Sequence, residues 1–141
     1  MATLTKDMLI NGIKDVKPLE ELGKRLAEAD KVQDRNNPNK WITKKAMSTS
    51  QIRKFFGAIK RIQADFDNLK GEIILLEPKL AYAVGKDKKE SKKDKKESKI
   101  DEFYKELSPL IKEINEDEKK FKNFVSIVEA IVAYHKVYGG E

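Results

Sequence analysis

The sequence predicts an all-α protein, a compact bundle of about five helices, and three observations carry that prediction. Nearly every apolar run recurs at three- and four-residue steps, the spacing of one helix face, and no run reads convincingly as a strand. Prolines and glycines punctuate those runs: Pro18 and Pro78 suit first-turn positions, while Gly71, Gly85, Gly139 and Gly140 suit ends. The chain has 141 residues, of which 39% are apolar and none is cysteine, so it suits one domain with one thin core and no disulfide.

Taken in order, a short helix is expected within Lys6–Val16. A second runs through Lys17–Val32, with Leu19, Leu22 and Leu26 on one side. Arg35–Asn39 (RNNPN) reads as a loop, since Asn and Pro supply turn chemistry. The strongest helix signal is Ser48–Lys70. Three hydroxyls at Ser48, Thr49 and Ser50 can cap a first turn, and Ile52, Phe55, Phe56, Ile59, Ile62, Phe66 and Leu69 form a stripe behind them. Gly71 ends or bends that helix, and Pro78 opens another that Gly85 closes.

Lys86–Lys99 is the heptapeptide KDKKESK written twice. It holds no apolar residue, so it reads as a flexible, lysine-rich insertion or a solvated helical extension standing outside the core. Beyond it, Phe103, Leu107, Leu110, Ile111 and Ile114 share one side, with a restart expected at Ser108–Pro109. The last helix is the most apolar. Its Phe121, Phe124, Val125, Ile127, Val128, Ile131, Val132 and Tyr134 cover more than half its circumference, which places it at the centre of the bundle.

Charge is distributed unevenly. Residues 35–64 carry eight basic residues and no acid, and residues 86–99 carry a net +4, while the other segments are mildly acidic and the whole chain is +6. Segregation of this kind points to an anion-binding site rather than a generally basic protein. On a helical wheel of about 100° per residue, Arg53 and Lys60 lie within roughly 20° of each other, as do Lys54 and Arg61. The four form an arc opposite the apolar stripe, with Gly57 in its middle and Ala64 continuing it. A solvated face usually mixes signs, because Glu–Lys pairs stabilise helices. A mid-helix Gly costs close to 1 kcal/mol relative to Ala. Both departures fit the approach of phosphates, bound through charge and without reading sequence.

Other constellations are weaker. Trp41 lies among Lys40, Lys44 and Lys45, as a partly buried loop anchor or, less simply, a stacking platform. His135 is the only histidine and falls on the apolar face of the last helix, which suits a satisfied core residue. One His and no Cys give no zinc site, and no nucleophile–base pair or phosphate-binding glycine loop is present, so no enzyme, metal or cofactor is expected. No segment has the length of apolar sequence needed to span a bilayer, and a cytoplasmic protein is the default expectation.

Three stretches together, STSQIRKFF at Ser48–Phe56, EPKLAYAVGK at Glu77–Lys86 and FVSIVEAIVAYHKVYGG at Phe124–Gly140, resemble the small subunit of type III-A CRISPR (Csm-type) effector complexes. The resemblance covers most of residues 45–140. It implies a helical, non-catalytic RNA-binding protein of antiviral defence, stacked in several copies as an inner filament beside the backbone and large signature subunits. Such a protein contacts the backbone of target RNA and of the guide duplex, and base pairing supplies specificity. The family's basic positions fall on Arg53, Lys54, Arg61, Lys79 and Lys86. Lys86 stands where the family often has Arg, which keeps the charge but loses the bidentate fork. With Lys60 from the wheel, and Lys45 and Gln51 beside it, these make the expected RNA-binding set. Tyr82, Glu129 and Tyr134 belong to the motifs as structural residues. The lysine tandem lies outside the family pattern.

Two other classes remain open on the residues alone. One is a helical protein-interaction scaffold whose basic face docks an acidic partner. The other is a nucleoid-type DNA-binding bundle, which the repeated lysines permit.

Overall fold

The computed structural model describes residues 4–33, 39, 41–94 and 98–139. Its class is all-α, and the described residues form seven α-helices rather than about five, with one short hairpin. The extra helices come from a formed N-terminal turn and from a break inside the expected Ser48–Lys70 helix.

Helix α1 (Lys6–Asn11) begins on Thr5, whose hydroxyl accepts from the Met8 amide, and stops at Gly12 with φ +87°. Helix α2 (Lys17–Ala27) carries Pro18 in its first turn, as expected, but ends well short of Val32. The chain turns extended at Glu28, and β1 (Asp30–Gln33) pairs antiparallel with β2 (Trp41–Lys44), Val32 opposite Ile42. Trp41, Ile42 and Thr43 are strand-favouring residues, which is why a hairpin wins here over a longer helix. Trp41 is not a buried anchor: it is 61% exposed. The expected loop at Arg35–Asn39 lies outside the described residues except for Asn39, which is a turn.

Helix α3 (Thr49–Ala64) starts with a reciprocal capping box. The Ser48 hydroxyl accepts from the Gln51 amide, and the Gln51 side chain accepts from the Ser48 amide. It ends at Asp65 (φ −144°, ψ 57°), after which α4 (Phe66–Leu69) and a 3-10 turn at Lys70–Glu72 contain Gly71. Helix α5 (Leu76–Asp94) passes straight through Gly85 instead of closing there. A Gly inside a helix costs about 1 kcal/mol, and the Lys and Glu residues that follow are good helix formers. Helix α6 (Ile100–Ile114) likewise runs through Ser108–Pro109 without restarting. Pro109 is exposed while Leu107, Leu110 and Ile111 are buried, and burial worth about 1.5–3 kcal/mol per large side chain offsets a proline cost of about 3 kcal/mol. Asn115, left-handed at φ 49°, ends it, and Asp117 caps α7 (Glu118–Val137).

Helix α7 is the axis of the molecule, packed against α1, α2, α3 and α6. Its Phe124, Ile127, Val128 and Ile131 are fully buried with Leu9, Leu22, Leu26 and Phe103. The closest approach is to α2 at Gly23, where an added Cβ would lie 2.6 Å from Tyr134 Cβ and 3.0 Å from the His135 amide. His135 is the buried core residue expected, its Nε2 lying 2.6 Å from the Met47 carbonyl.

The end of the lysine tandem departs from expectation. Ser98 and Lys99 are buried, Lys99 to 1% exposure. Lys99 Nζ lies 2.7 Å from Asp30 Oδ2 and donates to the Arg25 carbonyl at 2.7 Å, tying β1 and the end of α2 to the start of α6. Its long methylene stem fills apolar space while its ammonium keeps a carboxylate and a carbonyl.

Candidate nucleic-acid interface

The apolar stripe of α3 turns Ile52, Phe55, Ile59 and Ile62 inward. The remaining arc necessarily faces outward, and Arg53, Lys54, Gly57, Lys60 and Arg61 are all exposed. An added Cβ at Gly57 would meet nothing within 4 Å, so the middle of this face is open.

Helix α5 lies beside α3, and between them runs a groove of about 620 Å³. Gln51 and Lys54 reach it from α3, and Lys79, Tyr82 and Lys86 from α5. Its floor is apolar, with Phe55, Ala58, Leu75, Pro78, Ala83 and Ile100. No carboxylate lines it among the described residues. Lys79, Tyr82 and Lys86 stand at i, i+3 and i+7, the spacing that places three side chains on one helix face.

The expected residues therefore divide into groups. Gln51, Lys54, Lys79 and Lys86 come together in the groove. Arg53 and Lys60 stand on the outer side of α3, where Lys60 Nζ lies 5.8 Å from the Phe56 ring centre. Lys45 is exposed beyond β2 and serves locally, its carbonyl accepting from the Lys99 amide at 3.0 Å.

Two members of the set are committed inside the protein. Arg61 is not an unpaired cation: its Nη1 and Nη2 lie 2.8 and 3.5 Å from the two Glu72 carboxylate oxygens. That hydrogen bond raises the Arg61 pKa and lowers that of Glu72. Gln51, besides its capping role, donates Nε2 to Asp87 Oδ1 (3.4 Å) and Ser98 Oγ (3.3 Å). Asp87 Oδ2 in turn accepts from the Ser98 amide at 2.9 Å. Gln51 therefore fixes the groove's end, with both its amide atoms engaged within the protein.

Tyr82 was expected to be structural, yet it is 74% exposed and makes no hydrogen bond among the described residues. The signal was present in the sequence, as an aromatic residue set between two lysines at same-face spacing. Tyr134, by contrast, packs against the core.

No group of three or more potential metal ligands exists among the described residues, and none of their helices is long and apolar enough to cross a membrane. Fold and face together define a small helical protein with a cationic, apolar-floored groove. Residues 25–141 match the family profile described as Csm2 Type III-A, and the chain belongs to that family, the small subunit of the type III-A CRISPR effector complex. No curated protein and no solved structure matches the chain.

Proposed function

We propose that this chain is a non-catalytic, cytoplasmic RNA-binding subunit. It holds the sugar–phosphate backbone of target RNA and of the guide duplex, in several copies stacked as an inner filament beside the backbone and large signature subunits. The observation that carries this reading is the cationic groove between α3 and α5, whose lining holds no carboxylate among the described residues. Arg53 and Lys54 make no ion pair among the described residues, and Lys79 and Lys86 line the same groove as Lys54. Cations left without partners on one surface repel each other until an anion arrives, and phosphate contacts of this kind are salt-sensitive. Gln51 is the lone side-chain amide on the lining and both its amide atoms are engaged within the protein, so the lining is dominated by lysines, which suits contacts to the backbone.

The test is the double variant Arg53→Glu/Lys60→Glu, titrated with two unrelated RNAs over a range of salt. The wild type loses affinity linearly in log salt and holds both RNAs alike. The variant binds about ten-fold more weakly at low salt, with the slope reduced by about 1 per lost contact. Undiminished binding by a variant with wild-type circular dichroism would refute the assignment of this face.

A further inference from the structure

We infer that the α3–α5 groove receives an unpaired nucleobase stacked on Tyr82, while Lys54, Lys79 and Lys86 hold the phosphates that flank it. This rests on the RNA-binding reading and adds a contact that backbone binding does not require.

A site for phosphates alone needs cations and water, and this groove has instead an apolar floor beneath its lysines. Tyrosine ordinarily buries most of its ring or finds a partner for its hydroxyl, and Tyr82 does neither among the described residues. It stands three residues after Lys79 and four before Lys86, so one exposed aromatic face lies between two cations on one helix, with Lys54 across the groove. Ala58, Pro78 and Ala83 keep the adjoining wall shallow, which suits a flat ring. The volume of about 620 Å³ is ample for a base. Single-stranded nucleic acid supplies flat apolar faces and regularly spaced negative charge in one ligand, the pairing that aromatic and basic grooves recognise. A protein helix laid in the same place would match this groove best with carboxylates facing the three lysines.

The consequence is selectivity for an unpaired strand at this position, since a base inside a duplex presents no free face. The full chain is titrated with three labelled RNAs: a short single strand, the same strand with abasic ribose sites, and the strand annealed to its complement. Tyr82→Ala weakens the single strand about ten-fold and changes the duplex by less than about two-fold. Tyr82→Phe, which keeps the ring, stays within about two-fold of wild type on all three. Abasic substitution reproduces the loss in the wild type and adds nothing in Tyr82→Ala.

Equal binding of natural and abasic strands, or an unaffected Tyr82→Ala, overturns the stacking contact and leaves backbone binding intact. Failure of the wild type to bind any of the three removes the RNA-binding reading, and this inference with it. A Glu-rich amphipathic peptide that binds the wild type and not Tyr82→Ala, with RNA binding unchanged, assigns the groove to a protein partner and also overturns the inference.

Discussion

Replacing Gly57 with alanine should separate stability from binding on a single methyl group. The residue lies mid-way along α3 in ordinary helical conformation, exposed, with open space where its Cβ would stand. Nothing is displaced, so the change in stability reduces to intrinsic helix propensity, a gain of about 0.8–1 kcal/mol. For a chain of this length that raises Tm by about 3 °C. The same methyl would sit between the Arg53/Lys60 and Lys54/Arg61 pairs, on the surface a phosphate backbone must approach. A steric offset there should weaken RNA binding by about five-fold, a loss of about 1 kcal/mol. Thermal melting at 222 nm and RNA titration are run on the same preparation. A Tm that stays level or falls would refute the open environment at residue 57. A raised Tm with unchanged affinity would refute the idea that the glycine serves close approach.

Gly23→Ala should do the opposite, because its Cβ would lie 2.6 Å from Tyr134 Cβ and 3.0 Å from a backbone nitrogen that cannot rotate aside. An overpacking cost of up to about 3 kcal/mol outweighs the helix-propensity gain of about 1, so urea unfolding should move to a lower midpoint by about 2 kcal/mol, and an unchanged midpoint would contradict the packing described. Lys99→Ala removes a buried stem and the shorter of the two hydrogen bonds to the Arg25 carbonyl, leaving only that from the Glu28 amide. A loss of about 2–4 kcal/mol is expected, and Asp30→Asn, which keeps an acceptor but removes the carboxylate facing a buried ammonium, should cost about 1–3 kcal/mol. Tyr104 donates its hydroxyl to Glu77, and that bond, with burial second, raises its pKa above the ordinary 10.0. The protonated phenol is favoured by folding, so its contribution is complete below that pH and is lost as pH climbs through the raised folded value. Tyr104→Phe should therefore flatten the alkaline fall in stability without abolishing it, since Tyr138 is raised in the same sense by Glu20. Parallel pH profiles for variant and wild type would count against the Tyr104–Glu77 bond.

Helix α3 was legible because its determinants are local: a hydroxyl cap, a stripe at helical spacing and an uninterrupted basic arc. The central position of α7 followed from its apolar circumference, and the burial of His135 from its place on that face. What was missed depended on distant partners. Glu72 lies eleven residues from Arg61 and claims its guanidinium only because the chain folds back through a 3-10 turn after α4. Gln51 looked available for ligand until Asp87 and Ser98 arrived from α5 and the start of α6. Glycine at 85 and proline at 109 are stop signals whose cost neighbouring propensity and burial exceed. Trp41-Ile42-Thr43 carried the strand signal of the hairpin, but three residues are too short a run to outweigh a helical pattern nearby.

The clasp between Asp87 and Ser98 gives the lysine tandem a structural character beside its electrostatic one. Asp87 comes from the first KDKKESK copy, and Ser98 and Lys99 close the second. One copy contains an Asp at its second position and Ser-Lys at its end, and the fold uses the Asp of the first and the Ser-Lys of the second, eleven residues apart. Each copy holds four lysines against one Asp and one Glu, a step of +2. The tandem thus closes one end of the α3–α5 groove with its two ends, through Asp87, Ser98 and Gln51, while its lysines add positive charge alongside.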